Sequence, residues 1–265
     1  MRIVVPIKQV PETNAVKMDE QTGTMIREGV EAIVNPLDLY AIEIAIRLRE
    51  EHGGEAVCVS MGPPKALSAI REAISMGIDS GILISDKAFA GSDTWATSYV
   101  LAAAIRRMGD CDLILCGERA TDGDTGQVGP GIAAWLDLPV LSYVGKVESA
   151  ADGVCRVQRL VEDGHEVLEA DLPCVLTVVK EVADPRLPTL RGKQRARRTD
   201  VPVWGAADLD VEEGNLGLGG SPTRVVKIFR PSVARDCTKV VAGDEQAVGE
   251  ACGRLIEFLR RKDLL

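Results

Sequence analysis

Aromatic residues are scarce in this chain of 265 residues: three each of Phe, Trp and Tyr, 3% of the whole. A core of the size this length allows must therefore be built mostly from Val, Ile, Leu and Ala. Histidine is rarer still, with only His52 and His165, which argues against histidine-based metal sites and catalytic triads. The seven cysteines, at 58, 111, 116, 155, 174, 237 and 252, form no C-x-x-C pair and are odd in number. That argues against a disulfide framework and against a zinc or iron–sulfur knuckle, and it points to a reducing compartment. No apolar run approaches the length of a membrane span. The N-terminus runs directly into a strand pattern with no signal peptide, so a cytoplasmic chain is expected. A net charge of −9 speaks against general nucleic-acid binding.

What is present is an alternation. Ile3–Ile7 reads as a buried first strand, and Lys8–Val34 as a long polar excursion with a hairpin turn at Gln21-Thr22-Gly23, flanked by Val16/Met18 and Met25/Ile26. Asn35-Pro36 reads as a helix start, with Asn as N-cap. Leu37, Tyr40, Ala41, Ile44, Ala45 and Leu48 then give one apolar helical face, ended by Gly53-Gly54. Strands are expected at Ala56–Val59, Gly81–Ile84 and Leu113–Cys116, with helices after each and a cap at Asp93 or Thr94. Such alternation implies right-handed βαβ units and a parallel sheet covered on both faces. Ligands in such sheets sit beyond the carboxyl ends of the strands, where Pro6–Val10 and Met61-Gly62 fall.

Past Pro139 the pattern changes. Val154–Val161 and His165–Leu172 read as a hairpin turning at Asp163-Gly164, with Cys174–Val179 as a further buried strand, and together they predict an antiparallel extension of the sheet. Pro185–Arg198 is locally basic; a solvated helix is the ordinary meaning of such a run, a partner surface the alternative. Val201–Ser221 is glycine-rich and reads as an extended arm, Val225–Phe229 as a short strand. Asp244 then caps a terminal helix with Val248, Ala251, Cys252, Leu255, Ile256 and Leu259 on one face.

The most informative stretch is Cys116–Gly131, CGERATDGDTGQVGPG, between the fourth strand and the next helix. Glycines let backbone approach a ligand, and free N–H groups at a helix start attract phosphate. It is neither a Walker A loop nor a GxGxxG turn. On these grounds it is a candidate phosphate cradle or a plain glycine-rich turn. Asp124 is expected to stabilise the helix start.

TDGDTGQVGPG also resembles the signature loop of the β (small) subunit of electron transfer flavoproteins. Val5–Thr13 (VPIKQVPET) and Val34–Asp38 (VNPLD) agree with that family, in the family's order. The resemblance implies a Rossmann-like parallel sheet with an antiparallel extension. It implies a nucleotide-binding domain over 1–200 and, over 201–265, an arm and helix docking on an α subunit. It implies nucleotide contacts at Pro6, Lys8, Asn35, Asp38, Met61, Gly117, Ala120 and Thr121, and along Asp122-Gly123-Asp124-Thr125-Gly126-Gln127-Val128-Gly129. It implies a docking segment for an acyl-CoA dehydrogenase-type or other flavin dehydrogenase at Leu190, Arg191, Lys193, Arg195 and Arg197, with Leu190 as anchor.

Ordinary members hold structural AMP; bifurcating members hold a second FAD that accepts a hydride from NADH. Asp-Gly-Asp-Thr at 122–125 resembles the bifurcating group, so FAD is the expected ligand and AMP the alternative. Gly126, where that group favours alanine, and Met61, where ordinary members have cysteine, depart slightly from the patterns. No protein nucleophile or acid–base pair is evident, as suits an electron carrier whose flavin does the redox work. An ATP-binding stress-protein-like module is the competing reading from a different class. It would not need the basic segment or the terminal helix.

Overall fold

Continuous apolar runs with both faces buried build the centre of the fold. The computed structural model describes residues 1–12, 17–18, 25–26, 32–226 and 239–265. Its main sheet has nine strands. Seven lie parallel: β1 (Arg2–Pro6), β6 (Glu55–Met61), β7 (Ser80–Ile84), β8 (Leu113–Gly117), β9 (Val140–Ala151), β12 (Cys174–Val178) and β13 (Val203–Trp204). Two close one end as an antiparallel hairpin, β10 (Val154–Val161) and β11 (Gly164–Asp171). The order across the sheet is β11-β10-β9-β12-β8-β1-β6-β7-β13. Strands β1, β6 and β7 advance one way, and β8 then falls on the other side of β1, pairing Ile3 with Leu113 and Val4 with Ile114. That reversal is the switch point of a doubly wound sheet, where the strand ends splay and leave a crevice.

Four further short strands, in two ladders, precede the first helix. β2 (Gln9–Pro11) pairs antiparallel with β5 (Ala32–Val34), and β3 (Lys17–Met18) pairs with β4 (Met25–Ile26). The expected turn at residues 21–23 lies outside the described residues, as does Val16.

Alternate side chains of β1 serve opposite faces. Ile3 and Val5 meet α1 (Asp38–His52) and α2 (Leu67–Met76) through Ile42, Ile46, Ile70 and Ile74. Val4 meets α3 (Thr94–Met108) and α4 (Val128–Leu136) through Val100, Ile105 and Ile132. Aliphatic side chains dominate both layers, as the shortage of aromatics requires.

Three expectations are corrected. Cys174–Val178 is not part of the antiparallel extension: β12 lies parallel between β8 and β9. Its five residues are all buried, the mark of a central parallel strand rather than a half-exposed one. The partner strand β9, Val140–Ala151, went unrecognised because its bulges break strict alternation. The segment from 201 to 221 is not a free arm. Val203 and Trp204 pair with Leu83 and Ile84, and Leu209 and Leu216 are buried against the α3 side of the sheet. A short helix, α6 (Gly217–Gly220), follows, and this compact unit ends at Val226. Third, Asn35 does not cap α1, whose preceding residue is Leu37 with no side-chain cap bond.

Residues 227–265 form a second unit. Most of the expected strand at Val225–Phe229 lies outside the described residues. The terminal helix α7 (Glu245–Arg261) is capped as expected, Asp244 accepting the Ala247 N–H at 2.8 Å. None of its residues is buried, and Val248, Leu255, Ile256 and Phe258 are exposed.

The basic segment is tied to the sheet layer by one ion cluster. Glu43, on α1, is almost wholly buried. It accepts from Arg186 Nε at 2.9 Å and Arg47 Nε at 2.6 Å, while Arg186 Nη1 reaches Glu50 at 2.7 Å. Burial pushes the Glu43 carboxyl up, but the hydrogen bonds from Arg186 and Arg47 outweigh it and hold the group below its ordinary value. Arg186→Leu leaves Glu43 with Arg47 and the backbone N–H of residue 186, which donates at 3.1 Å, and removes the guanidinium. The expected loss is about 2 kcal/mol in urea unfolding at pH 7, because a buried charge keeps only part of its pairing. A depressed carboxyl stabilises above its unfolded pKa of 4.5, so the difference between variant and wild type should shrink as pH falls through the folded pKa.

Candidate functional site

A cavity of about 900 Å³ opens at the switch point, beyond the carboxyl ends of β1, β6, β7 and β8. Its size lies in the upper range of small-molecule sites. Of the residues carried over by resemblance, it brings together Pro6, Lys8, Asn35, Asp38, Met61, Gly117, Ala120, Gly123, Thr125, Gly126, Gln127, Val128 and Gly129. Thr121, Asp122 and Asp124 do not line it. The opposite wall went unread in the sequence: Ser85, Asp86, Lys87, Phe89, Asp93 and Thr94. The signal was available, since Ser85–Lys87 follow β7 at the same sheet edge.

Asn35 organises the near wall. Its side chain is buried and fully engaged: Nδ2 donates to Asp38 Oδ1 and Arg119 O, both at 2.9 Å, and Oδ1 accepts from the Thr121 N–H at 3.1 Å. These bonds hold the glycine loop to the start of α1, which is why Asn35 is unavailable as a cap. Thr121 meets Asn35 through its backbone. Asp38 takes the Lys8 N–H on Oδ2 at 2.7 Å, and the Lys8 ammonium pairs with Asp122 at 2.6 Å. Asp122 thus bears on the site through Lys8.

The glycines divide by task. A Cβ at Gly117 would lie 2.4 Å from Asp38 Oδ1, one at Gly129 2.7 Å from Thr177 Cγ2, and one at Gly131 2.6 Å from Ser98 Oγ. These three let α1, α3, α4 and the sheet approach each other. Gly126 has φ +64°, in the left-handed region. Gly123 has neither constraint: its φ is ordinary and nothing lies within 4 Å of a Cβ placed there. The fold does not require glycine at 123; open space in front of the cavity is what it supplies.

Two helices begin at the cavity. Asp93 caps α3, accepting from Trp95 N at 3.0 Å and Ala96 N at 3.1 Å. α4 has no side-chain cap: it is preceded by Gln127, whose Oε1 instead accepts from Thr94 Oγ1 at 2.8 Å. The free N–H groups of α4 therefore face the cavity with the positive end of the helix dipole. Asp124 does not stabilise this start, contrary to expectation. It sits four positions before the first helical residue at φ 52°, mostly exposed, and pairs with Arg119 Nε at 3.1 Å.

Burial pushes the Asp38 carboxyl up to about 7, with hydrogen bonds from Lys8 and Asn35 and the Lys8 charge opposing and Asp122 adding. A raised carboxyl stabilises fully below its unfolded pKa, and that contribution is lost as pH rises through the folded pKa. Stability should therefore fall between about pH 4 and pH 7 on account of this group. Asp38→Asn should flatten that slope, whatever it does to absolute stability, in chemical denaturation at pH 5 and pH 8. Cys116, also on the cavity wall, has its thiol pushed up by burial, with the Asp38 charge adding. Both effects disfavour the thiolate, the reactive form.

The residues expected to dock a partner separate as well. In α5 (Leu190–Arg198), capped by Thr189, the Leu190 side chain is 82% exposed and Arg191, Lys193 and Arg197 face solvent. Arg195 turns onto the fold, donating to Ile74 O at 2.8 Å and Ile78 O at 2.7 Å at the end of α2. Leu187, just before α5, is as exposed as Leu190.

Residues 22–209 match the family model described as "Electron transfer flavoprotein domain". The chain belongs to the electron transfer flavoprotein family. It is 45% identical over the full length of both chains to the electron transfer flavoprotein subunit beta of Thermoanaerobacterium thermosaccharolyticum. It is 44% identical, again over both full lengths, to the caffeyl-CoA reductase-Etf complex subunit CarD of Acetobacterium woodii. It is 40% identical to the protein FixA of Azorhizobium caulinodans, covering 100% of this chain and 96% of that one. Within this electron transfer flavoprotein chain, no helix among the described residues is long and apolar enough to cross a membrane, and those residues hold no cluster suited to a metal ion.

Proposed function

We propose that this chain is the nucleotide-holding β subunit of a heterodimeric electron transfer flavoprotein, with FAD in the switch-point cavity. The observation that carries the reading is the uncapped start of α4, facing the cavity behind Gly123. Phosphate is the group such a start accepts. The donor set fits a dinucleotide: backbone amides from Thr125 to Gly129 for the pyrophosphate, with Lys8, Lys87 and Arg119 as cations on the surrounding walls. Gln127, its carbonyl oxygen engaged by Thr94, retains an amide nitrogen as donor. Such a group supplies hydride acceptance from NADH and one-electron transfer onward. The protein's part is to bind it, orient it and fix its distance to the α-subunit flavin. The Asp-Gly-Asp-Thr form of the loop and the similarity to a caffeyl-CoA reductase complex subunit favour FAD over AMP, and a flavin dehydrogenase acting on acyl-CoA thioesters as downstream partner. A cytoplasmic place belongs to the same reading.

Calorimetric titration of the purified chain with FAD, AMP and ATP tests it. FAD binding tighter than AMP supports the proposal. AMP alone favours the ordinary type, and ATP hydrolysis would overturn both.

Leu190 and the exposed cations are proposed to dock the dehydrogenase. Leu190→Ala, or Arg191→Glu with Arg197→Glu, should slow electron delivery to the partner about tenfold, since a central apolar anchor typically carries over 1 kcal/mol. The charge effect should fade with added salt. Arg195→Glu should instead lower thermal stability, because it strips two carbonyls at the end of α2 of their donor. Stopped-flow reduction of the dehydrogenase separates the two.

A further inference from the structure

The cavity wall from Lys87 to Thr94 is held from behind by residues that do not line the cavity. The Leu218 N–H donates to Ala90 O at 3.0 Å. Gly217, at φ +57°, lies so close that a Cβ would meet Ala88 O at 2.4 Å. The Asp93 N–H donates to Ser221 Oγ at 2.9 Å, and Ser221 Oγ donates to Gly217 O at 2.7 Å. Thr223 closes the strap, its N–H and hydroxyl both donating to Asp93 Oδ2, at 2.9 and 2.7 Å. The Asp93 carboxylate is thus shared. One oxygen caps α3, and the other holds the chain at 223. Thr94, the next residue, bonds Gln127 at the start of α4.

We propose that Ser221 and Thr223 are positioning residues for the nucleotide cleft, acting through Asp93 on the first turn of α3 and, through Thr94 and Gln127, on the start of α4. The inference rests on the reading of this cavity as a nucleotide site. Removing the Thr223 hydroxyl leaves the carboxylate oxygen half-satisfied, and the cap can rotate away from α3. The wall then has to be ordered at ligand binding rather than beforehand, which costs affinity. By reciprocity, bound nucleotide tightens the strap.

The test uses the full chain with AMP and FAD as probes. Thr223→Val combined with Ser221→Ala should weaken binding of whichever nucleotide the wild type takes, by about fivefold to tenfold, a fraction of what hydrogen bonds to a charged group carry. Thr223→Ser, which keeps the hydroxyl, should bind within about twofold of wild type. In wild type, hydrogen exchange at the Thr223 and Leu218 amides should slow when nucleotide is added. Wild-type affinity in the double variant would overturn the inference and leave the cleft reading intact. Equal loss in Thr223→Ser and Thr223→Val would show mere packing and also overturn it. A wild type that binds neither nucleotide would remove the cleft reading, and the inference with it.

Discussion

Gly123→Asp should lose bound nucleotide about 100-fold while unfolding at the wild-type temperature. The fold has no stake in this glycine, given its ordinary φ and the absence of any atom within 4 Å of a Cβ. A surface substitution of that kind changes stability by only about 0.5 kcal/mol. The ligand has a large stake. A carboxylate at 123 stands at the mouth of a phosphate cradle whose attraction comes from uncapped amides. Like charges about 4 Å apart repel by about 4 kcal/mol at an effective dielectric of 20. After rearrangement and screening, a loss of about 3 kcal/mol remains, or about 100-fold. Gly123→Asn, of the same shape without the charge, should retain most of the affinity. Paired calorimetry of the two variants reads the electrostatic share directly. Equal affinity in Gly123→Asp and wild type would place the phosphates elsewhere.

Gly129→Val should do the opposite and damage the fold first. A Cβ there meets Thr177 Cγ2 at 2.7 Å and Cys116 Cβ at 3.3 Å. Both belong to buried central strands, β12 and β8, that cannot retreat. Helix α4 must lift from the sheet, and overpacking of this kind costs about 3 kcal/mol. For a unit of this size that is a fall of about 6–10 °C in Tm. Scanning calorimetry checks it. A Tm within about 2 °C of wild type would mean that α4 is not seated by close approach at Gly129. The two glycines, six residues apart, one in the loop and one in the first turn of α4, thus make contrary predictions: one spares the fold and loses the ligand, the other loses the fold.

That contrast marks how far the sequence could be read. The alternation of apolar strands and amphipathic helices located the first four parallel strands, their helices and the crevice at the switch point, because burial on both faces leaves runs such as Leu113–Cys116 that only a parallel sheet accommodates. The hairpin of β10 and β11 was legible from its turn chemistry, although its turn falls one residue earlier than expected, at Glu162-Asp163, with Gly164 already paired to Val161. The parallel placement of Cys174–Val178 was not. Strand direction depends on partners distant in sequence, and β9, whose bulges blur its period, hid one of them. The segment from 201 to 221 misled for a related reason: its few apolar residues, Trp204 partly and Leu209 and Leu216 fully, are buried one at a time on the α3 side of the sheet rather than forming a periodic face. In the site, residue types identified the loop but not the division of its glycines, which only close approach between helix and sheet could reveal. Asn35 was legible as special and misassigned as a cap, since its three partners on the loop and α1 lie beyond local sequence. Asp93 was legible as a cap and not as a node, because Ser221 and Thr223 reach it from 128 and 130 residues away.

The most direct test of the account is a count of cofactors in the complex co-purified with its α subunit, by absorption spectrum and by chromatography of the released nucleotides. The expected result is two FAD per heterodimer, with one flavin lost in Gly123→Asp and the other retained. One FAD and one AMP per heterodimer, or a single flavin with the switch-point cavity empty, would contradict it.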